Sequence, residues 1–385
     1  MKVKLPQDAL AGAVAFLKPI LKPDPLSVYG QIRAEAIAGD LHLAATDGEL
    51  ELVYRLEVQV DAEGAALFPG ALFCSIANAL PVGVVAIAAA TKTPEPRYTI
   101  GNDSNSNQTT YRLASYAARA YPTFAALEPE AVEFQIPANI LEELFRKSIF
   151  AAAPVHEPRG ILRGVNIALP PGGIAFTATD GRRLAHVETA LDRLESLPEF
   201  DITLPLKTCT LLRSLLHTLR DGADITVKTD RKRIEFVAGG WLLKSVLADG
   251  AYPAWRNVIP GQPEHSAILN RADFLAGLAR ATVATGDDKA VKVALAPGEC
   301  TIKAANTYGT ATVTLKPCTI STGGSARFDF NPRLLKDALE AFDDDTFTLA
   351  FGWGGAFGPV LVQQAAVPAV VAIMPLRERG KKEAE

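Results

Sequence analysis

Apolar residues recur at intervals of three and four in three places along the chain. They are Leu10, Val14, Leu17 and Leu21; then Ile140, Leu144 and Ile149; then Phe274 and Leu278. Each set follows a short extended stretch, and the spacing predicts an amphipathic helix in each case. Asp8, Asn139 and Asp273 stand where a helix start favours a short polar side chain. The segments open at Leu5, Ile136 and Leu269, so their starts lie 131 and 133 residues apart. A second helix is predicted in each third, introduced by Pro69, Pro205 and Pro332, because proline suits the first helical turn. Period-two alternation, as in Asp224-Ile225-Thr226-Val227-Lys228 and Arg233-Ile234-Glu235-Phe236-Val237, predicts antiparallel strands elsewhere.

Turn chemistry carries the same period. Thr46-Asp47-Gly48 precedes Thr179-Asp180-Gly181 by 133 residues, and Asn306 to Gly309 forms a looser third copy. Glycine supplies the positive φ that such a hairpin turn needs. The thirds also close alike, on Ala120-Tyr121-Pro122, Ala251-Tyr252-Pro253 and Ile373-Met374-Pro375. Three features in one order, three times, predict a triplicated chain. The expected fold is α+β: three tandem similar domains, each with two helices on antiparallel sheet. The expected boundaries are 1–131, 132–263 and 264–377, followed by a charged tail over 378–385. Between the second and third domains, Ile259-Pro260-Gly261-Gln262-Pro263 reads as a linker.

Composition narrows the function by exclusion. The chain has 385 residues, 48% hydrophobic and 21% charged, with net charge -4, so it is not a simple basic nucleic-acid binder. Cys74, Cys209, Cys300 and Cys318 are far apart and read as free thiols, and the five histidines show no metal-ligand spacing. No metal or cofactor is expected. The first residues lack the apolar core of a signal peptide, and no apolar run is long enough to span a bilayer, so a cytoplasmic protein is expected. No nucleophile with a base and an orienting group stands out, and there is no phosphate-binding glycine loop. Asp180 could serve as a catalytic acid, but Asp47 holds the same place in the first repeat, which fits a turn.

The residues resemble a family at three separated segments. Thr179-Asp180-Gly181-Arg182-Arg183-Leu184-Ala185, Tyr252 to Pro260 and Ile373-Met374-Pro375-Leu376-Arg377 are similar to signature segments of the bacterial sliding clamp, the β subunit of DNA polymerase III. The resemblance runs from Met1 to Arg377. It implies a head-to-tail homodimeric ring, with helices lining the hole, that encircles duplex DNA without reading sequence. It implies no enzymatic activity. Its partners would be DNA polymerase III, other polymerases, the clamp loader and repair proteins, tethered by short peptides in a pocket between the second and third domains.

Carried over position by position, the resemblance puts Leu162, Thr179, Leu184, Pro253, Val258 and Met374 in the pocket floor. Gly181, Arg182, Arg183, Asn257, Pro375, Leu376 and Arg377 would form the rim and second subsite. Arg182 and Asn257 depart from the histidine and arginine usual there. Singly, Leu184, Val258 and Met374 also read as core residues, and Arg182 and Arg183 as a solvated strand end; their convergence from three motifs favours a pocket. Lys22 and His156 match loop sites that touch DNA in relatives, and Lys207, Arg213 and Arg280 lie on predicted inner helices. Those six helices together carry net positive charge in a net negative chain, although the one near 69–80 has none. By position, Tyr111 and Leu113 would meet Val283 and Ala284 of a second copy. Two further readings keep the fold: a specialised second clamp, and a repeat scaffold that binds proteins without encircling DNA.

Overall fold

The computed structural model describes residues 1–385 except 25, 91–96, 103–107, 260, 262, 287–289, 322–324, 353–357, 365–368 and 377–385. Arg377 and the charged tail therefore lie outside the described residues. The chain runs through one order of elements three times. The first pass is β1 (Lys2–Pro6), α1 (Gln7–Leu17), β2 (Gln31–Ile37), β3 (Asp40–Thr46), β4 (Leu50–Glu57), β5 (Gln59–Ala62), β6 (Gly64–Pro69), α2 (Gly70–Ala79), β7 (Val84–Ala89), β8 (Arg97–Asn102) and β9 (Thr110–Ala114). The second is β10 (Val132–Pro137), α3 (Ala138–Ser148), β11 (Gly164–Leu169), β12 (Gly173–Thr179), β13 (Arg183–Ala190), β14 (Phe200–Pro205), α4 (Leu206–Leu216), β15 (Asp224–Thr229), β16 (Arg233–Ala238) and β17 (Trp241–Val246). The third is β18 (His265–Asn270), α5 (Arg271–Thr282), β19 (Val291–Ala296), β20 (Glu299–Asn306), β21 (Gly309–Leu315), β22 (Thr319–Ile320), β23 (Ala326–Phe330), α6 (Pro332–Glu340), β24 (Thr346–Phe351), β25 (Val360–Gln364) and β26 (Ala369–Ile373).

The predicted helices form, but α1 ends at Leu17 and α3 at Ser148, so Leu21 and Ile149 of the apolar spacing fall beyond them. Leu10, Val14 and Leu17 are the buried stripe of α1, and Phe274, Leu278 and Ala281 that of α5. Asn270 and Asn331 cap α5 and α6, each side chain accepting a backbone N–H from the first turn. The Thr-Asp turn is built identically in two repeats and again between β15 and β16. Thr46, Thr179 and Thr229 donate through Oγ1 to the carbonyls of Leu50, Arg183 and Arg233 at 2.7–2.8 Å. Asp47, Asp180 and Asp230 each accept two backbone N–H groups across the turn. At β20–β21 Asn306 does the same work. Asp180 is thus a turn residue, and Gly181 sits at φ +83°.

Contacts divide the chain into two compact units, Met1–Ile140 with Thr210–Leu247, and Leu141–Cys209 with Ala248–Glu385. The first holds a five-stranded sheet, β5-β1-β7-β8-β9, and an eight-stranded sheet, β10-β15-β16-β17-β4-β3-β2-β6. The second holds a nine-stranded sheet, β14-β11-β12-β13-β26-β25-β24-β18-β22, and a four-stranded sheet, β21-β20-β19-β23. This division cuts the middle repeat for a physical reason. Its last strand, β17, pairs with β4 of the first repeat, and its β13 pairs with β26 of the third. Each long sheet is therefore shared by two repeats through a backbone ladder.

Candidate docking site

The β13–β26 junction positions the three motifs. Arg183 pairs with Ile373 and Leu184 with Ala372 across it, while Thr179 pairs with Leu184 from the other side. Beyond the last strand, Met374 N–H donates to the Arg182 carbonyl at 2.9 Å, and Leu376 N–H donates to Asp329 at 2.7 Å. The segment Met374-Pro375-Leu376 is thus pinned at both ends, with Met374 40% and Leu376 38% exposed. On one face of the sheet, Leu184, Ala372, Leu361 and Ala350 form a buried apolar row in adjacent strands. Trp255 and Ile259, from the segment that begins at Tyr252-Pro253, pack onto that row. Asn257 and Pro253 are exposed beside it, and Val258 is 43% exposed. The junction thus combines a buried apolar row, covered by Trp255 and Ile259, with exposed apolar side chains at Met374, Leu376 and Val258 in the segments that flank it.

A polar wall continues from the floor. His186, two residues past Leu184, stacks on Trp255 with ring centroids 4.2 Å apart and shares a hydrogen bond with Thr177 at 2.9 Å. Burial lowers its pKa, opposed by Glu188, whose carboxylate lies 3.6 Å from Nε2, and reinforced by Arg256. It lines a cavity of ≈390 Å³ with Glu188, Thr348, Gln363 and Val370.

The structure corrects several expectations. Arg183 is no rim residue: its side chain is 9% exposed, Nη1 donates to Asp337 at 2.6 Å, Nη2 donates to the Phe150 carbonyl, and Nε lies 3.2 Å from Asp180. It ties β13 to α6 and to the turn after α3. Leu162, in a short helical turn, is buried as Leu184 is. Arg182 remains exposed beside Met374. Sequence reading missed Ala372, Leu361, Ala350, Trp255 and Ile259. A signal existed in Ala369-Val370-Val371-Ala372-Ile373, an apolar run without alternation, which marks a strand covered on both faces.

The candidate DNA-contact residues are dispersed. Lys22 and His156 are exposed on loops, with the Lys22 ammonium 4.5 Å above the Tyr29 ring. Lys207 is exposed near the start of α4, Arg213 half-buried on it, and Arg280 exposed in the last turn of α5. Several helix cations are engaged in internal bonds. Arg146 bonds Ala341 O and Asp343 at 2.5 Å each, and Lys147 is fully buried, 2.6 Å from Glu143 and 3.5 Å from Asp343. Against the penalty of burial, Arg146 and Lys147 hold the Asp343 carboxyl below its ordinary value. Arg271 donates to the carbonyls of Asp344 and Leu339. The exposed face of α2 offers Ala71, Leu72, Ser75 and Asn78, without charge.

Two strand edges complete the inventory. β9 ends the five-stranded sheet and β21 ends the four-stranded one. Tyr111 is half-buried on β9, but Leu113 is 2% exposed, so the latter serves the core and the backbone edge is what β9 offers. Val283, just past α5, is 85% exposed, and Ala284 beside it is half-buried.

This arrangement, repeated α+β units joined strand to strand with a buried apolar row at a junction, defines a protein of the DNA-clamp fold. Residues 135–254 match the family described as DNA polymerase III beta subunit, central domain. The beta sliding clamp of Bacillus subtilis is 25% identical, with 98% of this chain and 100% of that protein covered; that of Chlamydia muridarum is 23% identical over 98% and 99%. The solved sliding clamp of Bacillus subtilis superposes with a TM-score of 0.88 at 23% identity, covering 98% and 99% of the two chains. The DNA polymerase III subunit beta of Pseudomonas aeruginosa gives 0.87 at 21%, covering 98% and 100%. Residues 135–254 thus match the central domain of DNA polymerase III beta subunits, and the chain is similar over nearly its full length to beta sliding clamps, whose fold it shares. Among the described residues, no helix is long and apolar enough to cross a membrane.

Proposed function

We propose that two copies of this chain close head to tail into a ring around duplex DNA in the cytoplasm. The ring tethers DNA polymerase III, other polymerases, the clamp loader and repair proteins through short peptides docked on the Leu184–Ala372 floor. The repeats are taken as domains 1–131, 132–263 and 264–377. One observation carries the reading. The fourth strand of the first repeat, β4, accepts the last strand of the second, and the fourth strand of the second, β13, accepts the last strand of the third. The fourth strand of the third repeat, β21, and the last strand of the first, β9, are left as sheet edges. A second copy supplies the missing partner for each, and a heterologous contact that closes on itself makes a ring. Tyr111 lies on one edge strand, and Val283 and Ala284 follow the helix packed on the other, α5 on β21.

Docking draws its affinity from apolar burial, at roughly 25 cal/mol per Å² of area removed from water before ordering costs. Arg182 and Asn257 then set which peptides are preferred. DNA contact falls to the exposed cations Lys22, Lys207 and Arg280, with Arg213 and His156, because a sliding ring needs phosphate attraction without base contacts. The uncharged face of α2 favours a specialised clamp with a looser hold on DNA. Sedimentation tests the closure. The wild-type chain is expected as a dimer and Val283→Asp, at an exposed position, as a folded monomer. A wild-type monomer at all concentrations, or a dimer indifferent to Val283→Asp, contradicts it.

A further inference from the structure

The β4–β17 junction repeats the architecture of the docking junction with different chemistry. Thr46 closes the β3–β4 turn as Thr179 closes the β12–β13 turn. Counted from those turns, Glu51 stands where Leu184 does, and Lys244, its partner across the junction, stands where Ala372 does. Tyr121-Pro122 is the counterpart of Tyr252-Pro253. The apolar floor of the groove is thus replaced by an ion pair, Lys244 Nζ to Glu51 at 3.3 Å, with the Glu51 side chain 7% exposed. A cavity of ≈360 Å³ opens there. Ala44 and Val53 supply an apolar part of its lining, and Tyr121 packs in a cluster with both.

The unsatisfied groups in this cavity are donors. Its two acids are already matched, Glu51 by Lys244 and Glu35 by Arg33 Nη2 at 2.8 Å. Arg33 Nε is buried without a hydrogen-bond partner. Arg119, exposed at the rim, has no ion pair among the described residues. A buried donor without a partner destabilises the fold, and an incoming carboxylate satisfies it through charge-assisted bonds. We propose that this cavity is a second peptide-docking site, selective for an acidic segment: a carboxylate side chain binds Arg33 and Arg119, and a neighbouring apolar side chain rests on Ala44 and Val53. An extended chain is the fitting occupant because the strand junction and the covering Tyr-Pro segment match those of the apolar groove. Surplus positive charge at the rim selects acidic over basic partners.

Fluorescence anisotropy with the full-length protein tests this. The probe is a rhodamine-labelled decapeptide alternating glutamate with leucine. Saturable binding is expected, weakened by about tenfold or more in Arg119→Glu, a change at an exposed position, and unchanged in Met374→Ala, which lies in the other groove. Arg33→Gln, checked for a native thermal transition, is expected to weaken it as well. Absence of saturable binding, equal affinity for Arg119→Glu, or loss of binding in Met374→Ala overturns the proposal. So does displacement by inorganic phosphate at the concentration at which the unlabelled peptide competes, since that marks a site for any small oxyanion.

Discussion

Two adjacent arginines follow the Gly181 turn and do different work. Arg183 is buried and shared between Asp337, Asp180 and the Phe150 carbonyl, whereas Arg182 stands in solvent beside Met374. Removing one partner of a buried ion pair leaves the other charge unmatched, so Arg183→Met is expected to lower stability by about 3 kcal/mol. Arg182→Ala is expected to leave the urea midpoint unchanged and to alter peptide affinity only a few-fold. Equal effects of the two on the urea transition would contradict this division. His186 gives a pH signature. Its folded pKa lies below the ordinary 6.5, so the unfolded chain binds the extra proton first. The stability it contributes is present above pH 6.5 and falls as pH drops from there toward the folded pKa. Glu188 and Arg256 are the charges facing it. His186→Phe is expected to flatten that part of the stability curve, which urea melts between pH 7.5 and 5.5 would detect. None of this residue-scale division was legible in sequence: Arg182 and Arg183 are the same residue type, and only the ladder to β26 and the reach to α6 tell them apart.

At the scale of elements, the sequence was informative wherever the period was regular. The six helices formed, three announced by apolar spacing and three by a proline in or before the first turn, although α1 stops at Leu17, short of Leu21. The Thr-Asp turns were legible because one side chain satisfies two backbone donors. The floor of the docking groove was only half legible, since Leu184 came with a motif while Ala372, Leu361 and Ala350 meet it only once β13, β26, β25 and β24 are in register. The groove is expected to depend on its apolar edge. Met374→Ala should weaken a clamp-binding peptide by about tenfold while leaving the melting transition in place, as truncation of a partly exposed anchor affects binding more than folding. Unchanged peptide affinity in titration calorimetry would remove the groove assignment. The core elements also sequester all four thiols: Cys74, Cys209, Cys300 and Cys318 are buried, and burial pushes Cys74 up to about 11 and Cys300 up to about 12. Native protein is therefore expected to react with a thiol reagent far more slowly than unfolded protein, in which four thiols titrate. Fast labelling of the native protein would show that the core opens readily.

For the whole molecule, triplication was legible because the repeat period recurs in helix starts, turns and closing segments together. The strand exchange between neighbouring repeats was not, since no local pattern says which strand a sheet edge will accept. In the proposed ring, β9 and β21 are the sheet edges that a second copy would take up. Charge was only partly legible: the helices read as net positive, but Arg146, Lys147 and Arg271 are consumed by internal bonds. Retention on DNA should therefore come from topology more than from affinity, and salt should weaken it little once the ring is closed. The most direct measurement is retention on a nicked circular duplex after loading, followed by cutting the circle once. Encirclement predicts a complex that stays on the intact circle through high salt and is lost from the ends of the linear product. Loss from the intact circle in the same salt, or equal retention before and after cutting, would contradict it.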